Sequence, residues 1–463
     1  MKTVELAIVG GGPAGLCAAM EAARAGVEVL IIDENRRIGG QIYRQIPYRV
    51  TDGTKVGKDY QKAQELFQAV EALPNVSILS EATVWGIFDQ HMLAIYHQGR
   101  SEEVTAQALL IAAGAHDRPV PFPGWTLPGV FSAGGALTLM KSQRILPGRK
   151  VLLAGTGPLQ LVVATYLLEG GAEIVAVLEA SSLHEWWRQV PKLWGEWELM
   201  WEGFQYIKRL RSARVDVLRA HTICRAEGEE KVTQAVATRV DEQWRPVPGT
   251  ERRFAVDAVV CGFGLVPSIE LTALCGCEHQ YNPKLGGWIP RYNEEMETTV
   301  PGVFVAGETA GIAGAVVAME EGKVAGIAAA RRLGHLSDDE AQKRMQPSRQ
   351  RLAELYKFRA GLDELYTPRE GLLDLITPET IICRCEEVPA EMISQAINEG
   401  AMSLREVKGR TRAGMGHCQG RMCTSTVAGL IARQHGVTAE AAGLPSIRPP
   451  VKPIPLAALL MEE

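Results

Sequence analysis

No run of about 18 consecutive apolar residues occurs anywhere in the 463-residue chain, so no membrane-spanning helix is expected. Residues Met1 to Gly10 read as a strand entering a glycine turn, which leaves no room for a signal peptide's charged and apolar regions. A cytoplasmic protein is expected. A large excess of one charge is also missing: 49 basic and 54 acidic residues are mixed along the chain, which offers no basic stripe for nucleic acid. HExxH, GxSxG and P-loop patterns are absent, so hydrolysis and phosphoryl transfer have no support. The first 200 residues hold a single cysteine, Cys17, so the paired thiols of a flavin disulfide reductase are missing there. Nine cysteines, an odd number, suit a reducing compartment in which thiols serve metals more than structural disulfides.

What is present is a globular composition, 46% apolar and 22% charged, with length for about three domains. The apolar run Val4 to Val9 leads into Gly10-Gly11-Gly12-Pro13-Ala14-Gly15 and then into a helix of small residues, Ala18, Ala19, Ala22 and Ala23. In that setting Gly10 makes the turn, Gly12 admits a pyrophosphate, and Gly15 lets helix and strand pack closely with the helix N-terminus facing the phosphates. A second strand, Val27 to Ile32, ends in Asp33, 18 residues past Gly15, where a carboxylate can accept the ribose hydroxyls. Gly39-Gly40-Gln41 is either backbone passing beneath an extended cofactor or an ordinary turn. Cys17, just beyond the glycines, is read as a small buried hydrophobe.

The strand and turn recur at Val151-Leu-Leu-Ala-Gly155-Thr-Gly157-Pro-Leu-Gln160, and Ile174 to Leu178 ends in Glu179. Gln160 replaces the third glycine and is expected to hold the helix off the strand. Ala180, Ser181 and Ser182 follow Glu179 with no arginine, which disfavours NADP. Two readings compete: a working NADH site, and an inherited fold holding an adenine nucleotide for structure, the second slightly favoured by Gln160. Between the fingerprints, Leu109-Leu-Ile-Ala-Ala-Gly114 looks like the strand returning to the first domain. His116, Asp117 and Arg118 behind it are read as a turn with polar caps.

Cys383-Arg-Cys385 is followed 33 residues later by Cys418-Gln-Gly-Arg-Met-Cys423. Two close pairs allow four thiolates to converge on one small cluster, the ligand set of a [2Fe-2S] centre. Zinc is the competing reading, though its sites use CxxC or wider pairs more than CxC. Cys224, Cys261, Cys275 and Cys277 form no such set, and Cys275-Gly-Cys277 is read as structural.

From His184 to Tyr206 the chain carries Trp186, Trp187, Trp194, Trp197 and Trp201. Val190, Trp194, Trp197, Trp201 and Phe204 recur at steps of four and three, one stripe on a helix. Core burial is the first reading of that stripe and docking of a partner the second. Ser337 and Asp338 cap an amphipathic helix through about Phe358. Helices are expected at Met392 to Asn398 and Ser425 to His435, and Leu444 to Glu463 as an extended arm of the kind that lies across a neighbouring protomer.

Three motifs carry a resemblance: Gly39-Gly-Gln-Ile-Tyr-Arg44, Ala306-Gly-Glu-Thr-Ala-Gly-Ile-Ala-Gly314, and Arg412-Ala-Gly-Met-Gly-His-Cys-Gln-Gly-Arg-Met-Cys423. Over nearly its whole length the chain resembles the larger FAD-containing subunit of heteromeric bacterial amine dehydrogenases. That family comprises opine oxidases, D-hydroxyproline and L-proline dehydrogenases, and the matching subunit of hydrogen cyanide synthase. The resemblance implies an α/β fold with two Rossmann-like dinucleotide-binding domains, arranged as in glutathione reductase, plus a small helical C-terminal domain like that of bacterioferritin-associated ferredoxin. The boundaries expected are 1–120 with 285–335 for FAD, 121–284 for the second nucleotide domain, 336–378 for a connector, 379–440 for the cluster domain and 441–463 for the arm. The expected cofactor-binding residues are Gly10, Gly12, Pro13, Ala14, Gly15, Asp33, Glu34, Gly40, Gln41, Val84, Ala113, Gly114, Gly307 and Glu308, with Gly155, Gly157 and Glu179 at the second fingerprint. Glu308 stands where the superfamily usually has Asp on the ribityl chain, and a longer carboxylate still reaches a hydroxyl. Cys383, Cys385, Cys418 and Cys423 are the expected metal ligands.

By this resemblance a separate flavin subunit, similar to D-amino-acid oxidase, oxidises the carbon-nitrogen bond, and this chain relays electrons through FAD and [2Fe-2S]. A flavin beside a one-electron cluster can split electron pairs into single steps. The family also leaves room for a second adenine nucleotide (NAD, ATP or AMP), an FMN at a subunit interface, a small ferredoxin-like subunit, and a quinone or other acceptor that would place the complex at the inner membrane. The rival from another class is a self-contained NADH-dependent FAD/[2Fe-2S] reductase. A third reading is a regulatory or assembly module that binds nucleotide and cluster without turnover.

Overall fold

In the computed structural model, residues 2–45, 58–89, 91–193 and 195–459 are described. The chain divides into two compact units: 1–115 with 266–356 and 447–463, and 116–265 with 357–446.

The first unit is built on a parallel sheet in the order Val76–Leu79, Val29–Ile32, Lys2–Val9, Arg100–Ile111, Val303–Val305. Leu6–Val9 and Val29–Ile32 are buried without a break, as expected of strands covered on both faces. The long strand Arg100–Ile111 does two jobs. Its first half pairs antiparallel with Met92–His97, which pairs in turn with Thr83–Phe88, while Leu109–Ile111 meets Val303–Val305 in parallel register. The late motif near residue 307 is thereby delivered to the same sheet as the first glycine turn, nearly 300 residues away in sequence. Helix Ala315–Arg332 then lies on helix Pro13–Arg24 with backbones in contact, because Gly322 faces Ala14 and Gly326 faces Ala18.

Residues 266–284, expected in the second domain, cluster with the first unit. The cause is burial: Leu271, Cys275 and Cys277 share a core with Val9, Ile32, Leu93 and Ile111. Part of the tail packs on its own chain. Val451 is buried in that core and donates its N–H to the Trp85 carbonyl at 2.8 Å.

The second unit carries a parallel sheet in the order Val217–Arg219, Glu173–Glu179, Lys150–Gly155, Ala258–Gly262, Val130–Ser132. Asp117 caps the helix that follows Val130–Ser132, accepting from Ser132 Oγ at 2.7 Å and Gly134 N at 3.1 Å, so this acid has a structural task. The connector helix is longer than expected, Asp338–Tyr366, and tolerates Pro347 inside it. The C-terminal part of the unit is a short hairpin, Ile381–Cys383 with Val388–Pro389, and three helices, Ala390–Asn398, Leu404–Thr411 and Thr424–His435. Ile382, Ile393, Ile397, Val407, Val427 and Ile431 fill its core. Trp125 Nε1 donates to the Ile381 carbonyl at 2.6 Å and ties this small domain to the nucleotide fold of the same unit.

The single aromatic helix expected from Val190 to Phe204 is instead two, Leu183–Gln189 and Trp197–Ser212. Pro191 lacks an N–H to continue the first helix, and Gly195 turns the chain at φ +113°. The core reading of the stripe also fails: Trp197, Trp201 and Phe204 are 52%, 63% and 49% exposed, with Trp201 and Phe204 stacked at 5.5 Å. Trp194 lies outside the described residues.

Candidate functional site

The first glycine turn is assembled by contacts that leave no room for side chains. A Cβ on Gly15 would fall 2.0 Å from the Gly10 carbonyl oxygen, so helix and strand meet as closely as the fingerprint requires. Gly12 is the N-cap of helix Pro13–Arg24 and Pro13 opens its first turn, where a missing N–H costs nothing. The space above Gly12 is open: a Cβ there would meet only Gly40 Cα, at 3.8 Å. Asp33, 4% exposed at the end of its strand, accepts from Gly11 N at 2.7 Å and from Asn35 N at 2.7 Å. Gly39 N donates to the Gly11 carbonyl at 2.7 Å, so the Gly39-Gly40 pair does run against the turn.

On the returning side, Gly114 N donates to Thr309 Oγ1 at 2.9 Å and Gly307 abuts Ala14. Glu308 is half-buried beside them, and Ala113 is exposed at the strand's end. Gly10 to Gly15, Asp33, Gly40, Gly114 and Gly307 are thus brought into one neighbourhood. Of the other expected residues, Val84 has its side chain in the sheet core opposite Ile95, Glu34, next to Asp33, is exposed and paired with Lys452, and Gln41, next to Gly40, is exposed and bonded to Arg44.

Glu321, on the helix that follows Gly314, carries no motif that would single it out in the sequence. It is 2% exposed, with Oε2 accepting from Gly307 N at 2.8 Å and Oε1 from Tyr356 Oη at 2.7 Å. Burial pushes its carboxyl up to about 7, and Glu308 adds to the rise, against the opposing bonds from Tyr356 and Gly307. Because the folded state holds this proton after the unfolded chain has lost it, stability falls as pH rises from about 4.5 to about 7, by about 3 kcal/mol. Glu321→Gln keeps an acceptor for Gly307 and removes the titration. Its thermal midpoint should therefore fall less than that of wild type between those limits; superimposable pH profiles would mean that Glu321 titrates as an ordinary carboxyl.

At the second fingerprint, Glu179 is buried and accepts four hydrogen bonds from within the chain. Oε1 accepts from Thr156 Oγ1 at 2.8 Å and from Ser181 N and Oγ at 3.0 Å, and Oε2 from Gly157 N at 3.1 Å. Burial raises its pKa against these bonds. Gln160 is 2% exposed, its Cγ toward Gly262. No arginine follows Glu179 in sequence, yet the sheet register places Arg219 directly opposite it. That guanidinium lies over the Trp186 ring at 5.5 Å.

The four C-terminal thiols come together in two pairs. Cys383 and Cys423 hydrogen-bond one another, as do Cys385 and Cys418. The bond from Cys423 pulls the Cys383 thiol down to about 5, helped by backbone N–H groups that include Gly414 N at 3.5 Å. Cys423 is driven up by the same bond and by burial. Cys383 and Cys423 are each 1% exposed, whereas Cys385 and Cys418 lie nearer the surface. Among the described residues no group of three or more His, Cys, Asp or Glu is placed to hold a metal ion. Two sulfur pairs suit two irons, and backbone N–H groups aimed at sulfur are the usual means of setting a cluster's potential. The other cysteines are free, and burial pushes Cys17 up to about 12, in keeping with a core role.

An open glycine cradle with a ribose acid, a second nucleotide fold and a paired-thiol domain define a two-dinucleotide-fold flavoprotein with an iron-sulfur module. The chain belongs to the pyridine nucleotide-disulphide oxidoreductase family, which it matches over residues 4–322, and its residues 381–433 match the BFD-like [2Fe-2S] binding domain. It is 35% identical to an opine oxidase subunit of Agrobacterium tumefaciens (strain Ach5), over 98% of this chain and 91% of that one. It is 33% identical to hydrogen cyanide synthase subunit HcnB of Pseudomonas aeruginosa, over 97% of each. The fold matches L-proline dehydrogenase from P. horikoshii with TM-score 0.71 at 23% identity, covering 99% of this chain and 80% of that one. The protein is an FAD-dependent oxidoreductase that also carries a [2Fe-2S] domain. Among the described residues no helix is long and apolar enough to cross a membrane.

Proposed function

We propose that this chain is the electron-relaying subunit of a heteromeric dehydrogenase in which a partner, similar to D-amino-acid oxidase, removes two electrons and two protons from the C–H and N–H of an amino or imino acid. The opine, proline and hydroxyproline class of substrate fits the relatives' names, with glycine as the variant suggested by the hydrogen cyanide synthase subunit. The observation that carries this reading is the set of two thiol pairs on the same chain as an open FAD cradle. When bound, the flavin accepts electrons in pairs and the cluster passes them singly to an acceptor such as a quinone.

In this reading Gly10, Gly12 and Gly15 admit the pyrophosphate of FAD to the N-terminus of helix Pro13–Arg24, and Asp33 takes the ribose hydroxyls. Glu308 faces the ribityl chain. Cys383, Cys385, Cys418 and Cys423 hold the cluster, the first and last from within the core. An interface FMN and a small ferredoxin-like subunit complete the expected assembly, which works in the cytoplasm or at the inner membrane face.

The test is anaerobic and spectroscopic. The purified holo-chain, offered octopine, proline, hydroxyproline or glycine alone, should show no flavin bleaching, while dithionite reduces both centres. Adding the co-expressed partner subunit should restore bleaching by one of these substrates. Oxidation of an amino acid by the isolated chain would overturn the proposal. The second reading, a self-contained NADH reductase, rests on the surviving Gly155, Gly157 and Glu179 of the second fingerprint.

A further inference from the structure

We infer that Tyr366 closes the second nucleotide site, its ring filling the pyrophosphate seat above Gly157, so that this chain takes no electrons from NADH. The middle glycine of a dinucleotide fingerprint is bare so that the pyrophosphate can approach the backbone. The direction a Cβ would take from that glycine therefore marks the line of approach. From Gly12 in the first site the line is clear except for Gly40 Cα at 3.8 Å. From Gly157 it runs into Tyr366: Cγ at 3.6 Å, Cβ at 3.8 Å and Cδ1 at 3.9 Å, all in van der Waals contact. The two glycines share a role in sequence and differ in what lies on them.

The ring is fixed from several sides. Trp186 meets it edge-on, with centroids 6.4 Å apart, and is itself covered by Arg219. The chain beyond Tyr366 is strapped down: Thr367 Oγ1 donates to the Asp363 carbonyl at 2.6 Å, and Arg369 pairs with Glu185 and stacks on Trp244 at 5.0 Å. Gly371 N then donates to the Gln243 carbonyl at 3.1 Å. Tyr366 thus sits between a long helix and an anchored turn, and swinging its ring aside breaks the contact with Trp186.

The test uses the full holo-chain and NADH as the probe, with binding followed by nucleotide fluorescence and reduction by flavin bleaching under anaerobic conditions. Tyr366→Ala is expected to bind NADH roughly a hundredfold more tightly than wild type, and Tyr366→Phe, which keeps the ring, to remain as weak as wild type. Tyr366→Ser replaces the alanine variant if the latter loses its flavin. Micromolar NADH binding by wild type overturns the closure, as does a folded, flavin-loaded alanine or serine variant that gains nothing. Wild type that binds NADH without flavin bleaching overturns only the closure; bleaching as well would also remove the electron-relay reading in favour of the reductase.

Discussion

Gly322→Leu is expected to produce a chain that keeps its iron-sulfur absorption and loses its FAD. Helix Ala315–Arg332 crosses helix Pro13–Arg24 through bare backbone. A Cβ on Gly322 would lie 2.2 Å from the Ala14 carbonyl oxygen and 2.9 Å from Ala14 Cα, and one on Gly326 would lie 2.3 Å from the Ala18 oxygen. No flexible side-chain end lies in the way to be pushed aside, so the helices themselves must part. Leucine gains about 1 kcal/mol of helix propensity over glycine. Overpacking of a tight core costs about 1–3 kcal/mol, and here the displaced atoms are backbone. Ala14 sits inside the Gly10 to Gly15 turn, so the displacement is felt where the pyrophosphate must seat. The measurement is flavin retained after desalting, set against Gly203→Ala as a control, since a Cβ at Gly203 meets nothing within 4 Å. Full FAD occupancy in Gly322→Leu would show that the helix crossing does not govern the cradle.

That crossing marks a limit of what sequence discloses. Gly10 to Gly15 and Asp33 are legible because the fingerprint is local: strand, turn, helix and ribose acid fall within one βαβ unit. Gly322 and Gly326 are equally visible as letters, but their partners Ala14 and Ala18 lie some 300 residues upstream and become neighbours only when Val303–Val305 joins the sheet beside Arg100–Ile111. Glu321 escaped for the same reason, its bonds being to Gly307 and Tyr356 across the fold. At the second fingerprint no arginine follows Glu179 in sequence, and Arg219 comes to stand opposite it only through strand register. The aromatic stripe failed differently. Its spacing is helical across Val190 to Phe204, but periodicity does not register that Pro191 and Gly195 break the helix, nor which face the core will cover.

Cys418→Ser should abolish the visible iron-sulfur absorption and remove bound iron while leaving FAD in place, and Cys383→Ser should do the same with greater damage to the C-terminal domain. Four thiolates are needed to complete the cluster's coordination. Serine is a poorer soft-metal ligand, and at neutral pH its hydroxyl keeps its proton. The two variants differ in what surrounds them. Cys383 is 1% exposed in the core with Ile382, Val388 and Ile431 and takes hydrogen bonds from Cys423 and Gly414, so its loss also disturbs packing. Cys418 lies nearer the surface, so its replacement tests ligation with little packing change. Because cluster binding and local folding are linked, both variants should show a lower thermal midpoint for the BFD-like domain at 381–433, the larger drop in Cys383→Ser. FAD should be retained because its cradle rests on the separate core of Val9, Ile32 and Ile111. Cys224→Ser, a free thiol on a strand of the second unit, is the control that should keep its iron. Full iron content in both Cys418→Ser and Cys383→Ser would sink the ligand assignment and with it the electron-relay reading.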